Sequence, residues 1–304
     1  MAELCRLLSA FRHAEIPVIP LKGPLLGEAL YTDPCMRPFT DLDLLVHYAD
    51  VERAVALLAT SGYRYIALDR TLEYELTYAT AACFVPSDGS PSVFSVDLHW
   101  GLVSFPAGAT PRTIDAEEVW TRAAEARRWG VSVLELRQED LLLYLALHLA
   151  VHHPFVGFIW RLDLALLLRR PPGYFDWPSI LERARRWRVR GALYFALRVV
   201  EEDLSVTAPA GVLSELKPLG LRGEALERLA RHRDPRARFE HLVDLLLLDA
   251  GRDLLRAIVI SAAPTPAFVR GRYGTSSTLR AYLDHYRRIG ALGLHAAQAI
   301  AGRR

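Results

Sequence analysis

The chain has 304 residues, of which 51% are hydrophobic and 24% are charged, and its formal net charge is +2. This composition indicates a folded globular protein of one or two domains and excludes a long disordered chain. A net charge of +2 does not by itself predict a nucleic-acid-binding protein.

Several other classes of protein are also disfavoured. The longest apolar run, Leu141 to Val151, contains a histidine and is too short to span a bilayer. The N-terminal segment has amphipathic helical spacing rather than the order of a signal peptide. The three cysteines show no metal-ligand spacing, so neither a zinc site nor a disulfide framework is expected. We therefore expect a cytoplasmic protein without membrane association.

The first part of the chain alternates helix and strand patterns. Apolar residues at helical spacing predict a helix over residues 2–14. A short strand then ends at Lys22, and Pro24 is suited to the first turn of the next helix.

The same alternation continues to about residue 100. Residues 41–46 form a second strand, and Asp50 caps the helix that follows it. Residues 63–68 are predicted to be a strand. Residues 72–85 and 92–99 are rich in Tyr, Thr, Val and Phe, which favours two further strands joined by a hairpin-like connection.

Strand signals nearly vanish from about Gln138 onward. Prolines and glycines divide this half into predicted helices near 138–153, 157–170, 178–203, 221–232, 235–260 and 276–300. We therefore divide the chain into an α+β domain at 1–135, with helices beside a mixed sheet, and an all-helical domain at 136–304. An arginine-rich run at 183–190 is interpreted as a solvated helix face.

Two aspartates mark the second strand as a site of chemistry. Asp41 and Asp43 are two residues apart in a strand, so both project to one face. Paired carboxylates are costly unless a cation lies between them, and Mg²⁺ that holds a substrate's phosphates is a common solution. The pattern predicts a metal site for nucleotide chemistry.

A turn suited to phosphates precedes these aspartates. Gly23 permits close approach of the backbone, and the helix that starts near Pro24 directs its N-terminal dipole to the same place. Lys22 is one of two lysines in a chain with 37 basic residues. A compact ammonium suits a phosphate oxygen in a tight turn, so Lys22 and Gly23 are predicted phosphate ligands.

The segment LKG-x13-RPFTDLDLLV at residues 21–46 resembles the signature of the polymerase-β-like nucleotidyltransferase superfamily. It is most similar to a bacterial branch described as uncharacterised nucleotidyltransferases. The likeness extends through Val96-Asp97-Leu98-His99-Trp100 to the histidine-rich segment at 141–170. It implies a polymerase-β-like nucleotidyltransferase core followed by the helical domain.

The resemblance also implies a reaction. An acceptor oxygen attacks the α-phosphorus of a nucleoside triphosphate, pyrophosphate leaves, and one or two Mg²⁺ ions assist. Asp41 and Asp43 would bridge the metals. Asp97, on a strand of its own, would be the third carboxylate that holds the catalytic metal and helps to deprotonate the acceptor. The turn lacks the superfamily's common Gly-Ser or Gly-Gly pair, because Pro24 has no N–H to donate.

The remaining candidate side chains each have two interpretations. Arg37 either contacts the triphosphate or pairs with the aspartates. His99 either orders a metal-bound water or the acceptor, or makes a structural hydrogen bond. Buried, hydrogen-bonded histidines that join the domains are the favoured interpretation of His148 and His152, and a place with Arg161 on the acceptor side of a cleft between the domains is the alternative.

The acceptor stays open at this stage. A small-molecule hydroxyl, a peptide or protein hydroxyl and RNA are all compatible with the motifs, although the modest charge disfavours RNA. The alternative to an enzyme is a catalytically silent nucleotide- or partner-binding module on the same fold.

Overall fold

The computed structural model describes residues 1–66, 70–89, 94–105, 114–153, 157–231 and 240–301, apart from the side chains of 240–242, 244 and 292–301. A five-stranded sheet forms the centre of the first half. Its strands, in spatial order, are β1 (Ile19–Pro20), β2 (Asp41–Leu45), β5 (Ser95–His99), β4 (Ala81–Pro86) and β3 (Tyr63–Tyr65). The β2–β5 pair is parallel and the other pairs are antiparallel, so the sheet is mixed, as predicted.

The two faces of this sheet differ in chemistry. Leu42 and Leu44 of β2 are buried in an apolar cluster with Val96 and Leu98 of β5. Because side chains alternate along a strand, Asp41 and Asp43, which alternate with these leucines, point to the opposite face.

Helices α1 (Ala2–His13) and α3 (Val51–Thr60) cover the apolar face. The four α1 residues at helical spacing are all buried: Leu4, Leu7, Leu8 and Phe11. The predictions of both helices are confirmed, although Asp50 makes no side-chain capping hydrogen bond at the start of α3.

The prediction of a strand over 72–85 is wrong in its first half. Residues Leu72–Tyr78 form helix α4. Thr71 accepts a hydrogen bond from the backbone N–H of Tyr74 at 3.1 Å, and acidic residues occupy the first turn, so capping outweighs the strand preference of the aromatic residues. Parts of the predicted segments at 63–68, 86–91 and 92–99 lie outside the described residues.

A second, two-stranded sheet lies between the two halves of the chain and was not predicted. Strands β6 (Ala124–Arg128) and β7 (Val131–Glu135) form an antiparallel hairpin. Its two-residue turn places both Trp129 and Gly130 at positive φ, 51° and 82°. Tryptophan rarely adopts this conformation, so the usual Asn-Gly turn signal was missing.

From Gln138 the described chain is helical, as predicted. A four-residue helix, α5 (Glu117–Trp120), precedes the hairpin. The later helices are α6 (Gln138–His152), α7 (Phe158–Leu168), α8 (Trp177–Trp187), α9 (Arg190–Leu204), α10 (Val212–Leu216), α11 (Leu221–Arg231), α12 (Glu240–Leu247), α13 (Gly251–Ala262), α14 (Pro266–Arg272) and α15 (Thr278–Ala301).

The helical half departs from the prediction in detail. The helix predicted over 178–203 is two helices, because Arg188 adopts φ 60° and ends α8. Arg183 is buried rather than solvated, so the interpretation of its run as an exposed face is wrong at that position.

Helix α6 joins the two halves. It is buried on nearly every side. Its apolar cluster includes Ile19 and Leu45 of the five-stranded sheet and Leu21, which directly follows β1. α2 (Pro24–Leu30) contributes Leu26 to the same cluster. The fold therefore holds α6 against the sheet face that bears the aspartates. In the described ranges, no helix combines the length and apolarity that crossing a membrane requires.

Candidate active site

A cavity of about 610 Å³ opens between the aspartate face of the sheet and helices α6 and α7. The described residues that line it include most of those singled out by sequence: Lys22, Gly23, Arg37, Asp41, Asp43, Asp97, His99, His148 and His152. Arg161 is not among them. Its guanidinium lies 2.5 Å from a carboxylate oxygen of Asp203.

Strand pairing brings the carboxylates together. Asp43 and Asp97 are direct partners in the parallel register of β2 and β5, and Asp41 lies two residues before Asp43. One ligand atom each from Asp43, Asp97 and His99 lie within 4.8 Å of one another. Asp41 lines the same cavity but does not belong to that compact group.

Asp43 has one satisfied and one unsatisfied oxygen. Its Oδ1 accepts hydrogen bonds from Lys22 Nζ at 2.8 Å and from His99 Nε2 at 3.1 Å. Its Oδ2 is buried and has no hydrogen-bond partner among the described residues. Burial alone would raise the pKa of Asp43, but the Lys22 charge and the His99 hydrogen bond hold this pKa well below its usual range. Asp43 is therefore ionised.

The pKa of Asp41 is shifted in the opposite direction. Burial, followed by the negative charges of Asp43 and Asp97, raises the pKa of Asp41 against the opposing charge of Lys22. Three carboxylates thus share this cavity wall with one ammonium. An added cation would relieve that repulsion.

The turn at Lys22 is fixed from both sides. The backbone N–H of Leu21 donates to the carbonyl of Asp43 at 3.0 Å, which holds the turn beside β2. Gly23 adopts φ 58°, a conformation that favours glycine. On the helical side, Lys22 Nζ lies 3.2 Å from His148 Nε2 of α6. Because an ammonium only donates, His148 Nε2 is the acceptor.

Arg37 makes a contact that the sequence did not suggest. Its Nε and Nη2 donate to the two carboxylate oxygens of Asp163 in α7, at 3.0 Å and 2.7 Å, and Nη1 donates to the carbonyl of Gly23 at 3.3 Å. Tyr31 donates to Asp163 as well, at 2.7 Å. In the described structure Arg37 thus ties the phosphate turn to the helical half and is not paired with Asp41 or Asp43.

Three histidines form the wall opposite the sheet. Burial, with the nearby charge of Lys22, lowers the pKa of His148 well below its usual value. His152 is exposed at the cavity mouth, yet the surrounding protein and Lys22 lower its pKa to about 4. The pKa of His153 falls to about 3 through burial, then the charges of His152 and Lys22. All three rings are neutral at neutral pH, and the Nε2 acceptor of His148 is already used by Lys22.

The profile of the family described as uncharacterised nucleotidyltransferase matches residues 1–204, two thirds of the chain. The chain belongs to this family. The predicted resemblance and the predicted fold class are confirmed. Among solved structures, a protein of H. pylori provisionally assigned as a nucleotidyltransferase is 12% identical, with 74% of this chain and 92% of that chain covered and a TM-score of 0.32. The search of curated proteins found no match.

Within this nucleotidyltransferase family member, some cavity residues were not found by sequence reasoning. Trp160 of α7 stacks on His153, with ring centroids 3.3 Å apart. Gly157 makes room for it, because a Cβ at that position would lie 1.7 Å from the Trp160 ring. A glycine before a helix is too common to indicate such a contact. The contact of Tyr31, outside the cavity lining, could not be predicted either, since its partner Asp163 is 132 residues away.

Proposed function

We propose that the protein is a Mg²⁺-dependent nucleotidyltransferase that moves a nucleoside monophosphate from a nucleoside triphosphate to an acceptor hydroxyl or phosphate and releases pyrophosphate. The observation that carries this proposal is the group of three carboxylates on β2 and β5, which face one buried lysine in a cavity of nucleotide size. Membership in the nucleotidyltransferase family supports the reaction class.

The residues present fit a magnesium site. Mg²⁺ prefers oxygen ligands, and Asp43 Oδ2 is a buried oxygen without a partner. The raised pKa of Asp41 reflects a surplus of negative charge that a cation would relieve. We assign Asp41, Asp43 and Asp97 as the ligands of one or two ions. His99 supports them by donating to Asp43. The bound metal would neutralise the phosphates, activate the attacking oxygen and stabilise the leaving group.

The remaining side chains have separate roles in binding, orientation and proton transfer. Lys22 binds a triphosphate oxygen, and Gly23 allows the phosphates to approach the backbone. Arg37 acts through its contacts with Gly23 and Asp163, so it orients the phosphate turn. Asp97 accepts the proton of the acceptor hydroxyl as the new bond forms.

The acceptor enters from the helical side. His148 and His152 are neutral groups on the wall opposite the carboxylates, where each can exchange a hydrogen bond with a hydroxyl. Arg161 supports α7 through Asp203 and does not reach the cavity. On this basis we assign residues 136–304 as a helical domain that completes the cleft of a catalytic domain at 1–135. The acceptor is a small molecule, a peptide or protein, or RNA.

The test is pyrophosphate release from each of the four triphosphates, with Mg²⁺ and a cell extract as the source of acceptors. We expect release by the wild type, none with Asp43→Asn, and normal release with Asp284→Asn, an aspartate of α15 whose ion-pair partners Arg280 and Arg287 are exposed. Release that is insensitive to Asp43→Asn would overturn the site. Nucleotide binding without release under any of these conditions would favour the silent module.

A further inference from the structure

Lys22 holds an unusual position for a residue assigned to a nucleotide. Its side chain is almost completely buried, 7% exposed, before any nucleotide is present. Two of its three N–H donors already have partners, Asp43 Oδ1 at 2.8 Å and His148 Nε2 at 3.2 Å. Its third N–H donor is left for a phosphate oxygen, so a phosphate that uses more than this one donor must displace the first of these partners.

The partner that Lys22 uses is also a proposed metal ligand. The ammonium and His99 both donate to Asp43 Oδ1, and only Oδ2 is left without a partner. A divalent cation coordinated by Asp43 would therefore lie within a few ångströms of the ammonium, in a partly desolvated cavity where like charges repel strongly. Metal and ammonium compete for the same carboxylate.

We propose that Lys22 is an exchangeable cation. It balances Asp43 in the ligand-free protein and moves to a triphosphate oxygen when metal and nucleotide bind together. This inference rests on the proposed function, since it takes the metal and the triphosphate from it. The flexible four-carbon stem of lysine permits such a move, and His148 on the buried helix α6 provides a fixed second partner.

The exchange couples the two ligands. The triphosphate withdraws the ammonium from Asp43, which frees the carboxylate for metal, and metal on Asp43 releases the ammonium to the triphosphate. Each ligand must then raise the affinity for the other by the same factor, because binding free energies are reciprocal. Metal alone binds weakly, because Lys22 opposes it.

Lys22→Met, which keeps a side chain of similar length without the charge, tests the exchange. Calorimetric titrations would use Mn²⁺ alone, each triphosphate with EDTA, and both together. We expect Lys22→Met to bind Mn²⁺ alone about tenfold more tightly and triphosphate alone about tenfold more weakly, and to show a smaller mutual enhancement, because only the direct contact of metal with triphosphate is left. Lys217→Met is the matched control, because Lys217 pairs with Glu227 far from the cavity. It should leave all three values unchanged.

A second measurement covers the case in which Lys22→Met does not fold. The chain contains two lysines, so lysine-selective ¹⁵N labelling gives two side-chain signals, and Lys217→Arg assigns them. We expect the Lys22 signal of the wild type to shift when Mg²⁺ and triphosphate are added together, while the Lys217 signal stays in place.

Two results would overturn the exchange: unchanged or weaker Mn²⁺ binding by Lys22→Met, or a Lys22 signal that does not move with both ligands. These results differ from a failure of the proposed function. Opposite changes in metal and triphosphate affinity without pyrophosphate release would support the exchange and remove the transfer reaction. No Mn²⁺ binding by any variant, alone or with triphosphate, would overturn both.

Discussion

Two buried aspartates in this protein differ in how fully their carboxylate oxygens are paired. Asp140 at the start of α6 accepts from Arg122 through both carboxylate oxygens, each at 2.9 Å, and from Arg183 at 2.6 Å. Asp43 shares its Oδ1 between Lys22 and His99 and leaves Oδ2 without a partner.

The difference separates a structural ion cluster from the proposed ligand site. At Asp140 one carboxylate faces two guanidinium groups, and its hydrogen bonds join the segment before the β6–β7 hairpin to α6 and α8. At Asp43 three carboxylates face one ammonium, and the cluster lines a cavity. Removal of one partner from a buried ion cluster is costly to the fold, whereas uncompensated charge beside a cavity is typical of a functional site.

Asp97→Asn and Asp140→Asn should separate these two kinds of aspartate most clearly. Asp97→Asn removes repulsion and a proposed metal ligand, so we expect unchanged or slightly higher stability and at least a 100-fold loss of pyrophosphate release, the order seen when an electrostatic group is removed from an active site. Asp140→Asn leaves the buried guanidinium of Arg183 without its carboxylate partner and should lower the unfolding free energy by about 3 kcal/mol.

Chemical denaturation and the release assay measure these two effects. At a temperature where both variants are folded, Asp140→Asn should keep wild-type release. Loss of stability without loss of activity in Asp97→Asn would reverse the assignment of the two sites.

The loss of stability in Gly157→Ala should be next in size, because this substitution disturbs the cavity wall without removing a charge. Gly157 has φ 83° and lies against Trp160, so a Cβ adds a clash to the backbone strain. Gly173 has almost the same φ, 84°, with open space around it. We expect losses of about 3 kcal/mol for Gly157→Ala and about 1 kcal/mol for Gly173→Ala in denaturant titrations. Equal losses would mean that Trp160 moves aside freely.

Tyr31→Phe extends the comparison to the carboxylate that orients Arg37. Tyr31 donates to Asp163 at 2.7 Å, and Tyr63 donates to Glu3 at 2.8 Å on the far side of the sheet. Each Phe variant should lose about 1–2 kcal/mol of stability, the range for a hydrogen bond to a charged group. Pyrophosphate release should fall in Tyr31→Phe alone. A normal rate there would show that Asp163 does not act on the phosphate turn.

The smallest change in stability is expected from Asp41→Asn, and this change depends on pH. The pKa of Asp41 is raised in the folded protein, so ionisation of this group opposes folding: stability is greatest while Asp41 is protonated and is lost as pH rises through its folded pKa. The variant should therefore be slightly more stable than the wild type at pH 7 without metal, and the gain should vanish on acidification. Melting curves across pH, with EDTA present, measure it. A gain that grows as pH falls would contradict the assignment.

The sequence singled out the candidate site residues whose positions depend on local pattern. Asp41 and Asp43 were candidates because they alternate with leucines in one strand, and Asp97 because it lies among apolar residues after a turn. The parallel register that pairs Asp43 with Asp97 could not be read, because it depends on strand order. Helix α4 was missed since aromatic residues favour strands in general, while the Thr71 cap is a local feature.

Contacts between distant residues were beyond prediction. Arg37 and Asp163 are 126 residues apart, as are Lys22 and His148, and no spacing rule joins them. The arginine-rich run in α8 shows the same limit: its composition indicated a solvated face, but Arg183 is buried against Asp140. Which charge finds a buried partner is decided by packing in three dimensions.

The most direct test of the central claim uses Mn²⁺ as a paramagnetic probe. ¹⁵N-lysine spectra of the wild type would be recorded with Mn²⁺ and each triphosphate, with Asp97→Asn as control. The account predicts strong broadening of the Lys22 signal, a sharp Lys217 signal, and loss of the broadening in Asp97→Asn. Equal broadening of both lysines, or broadening that persists in Asp97→Asn, would contradict a metal site at these carboxylates.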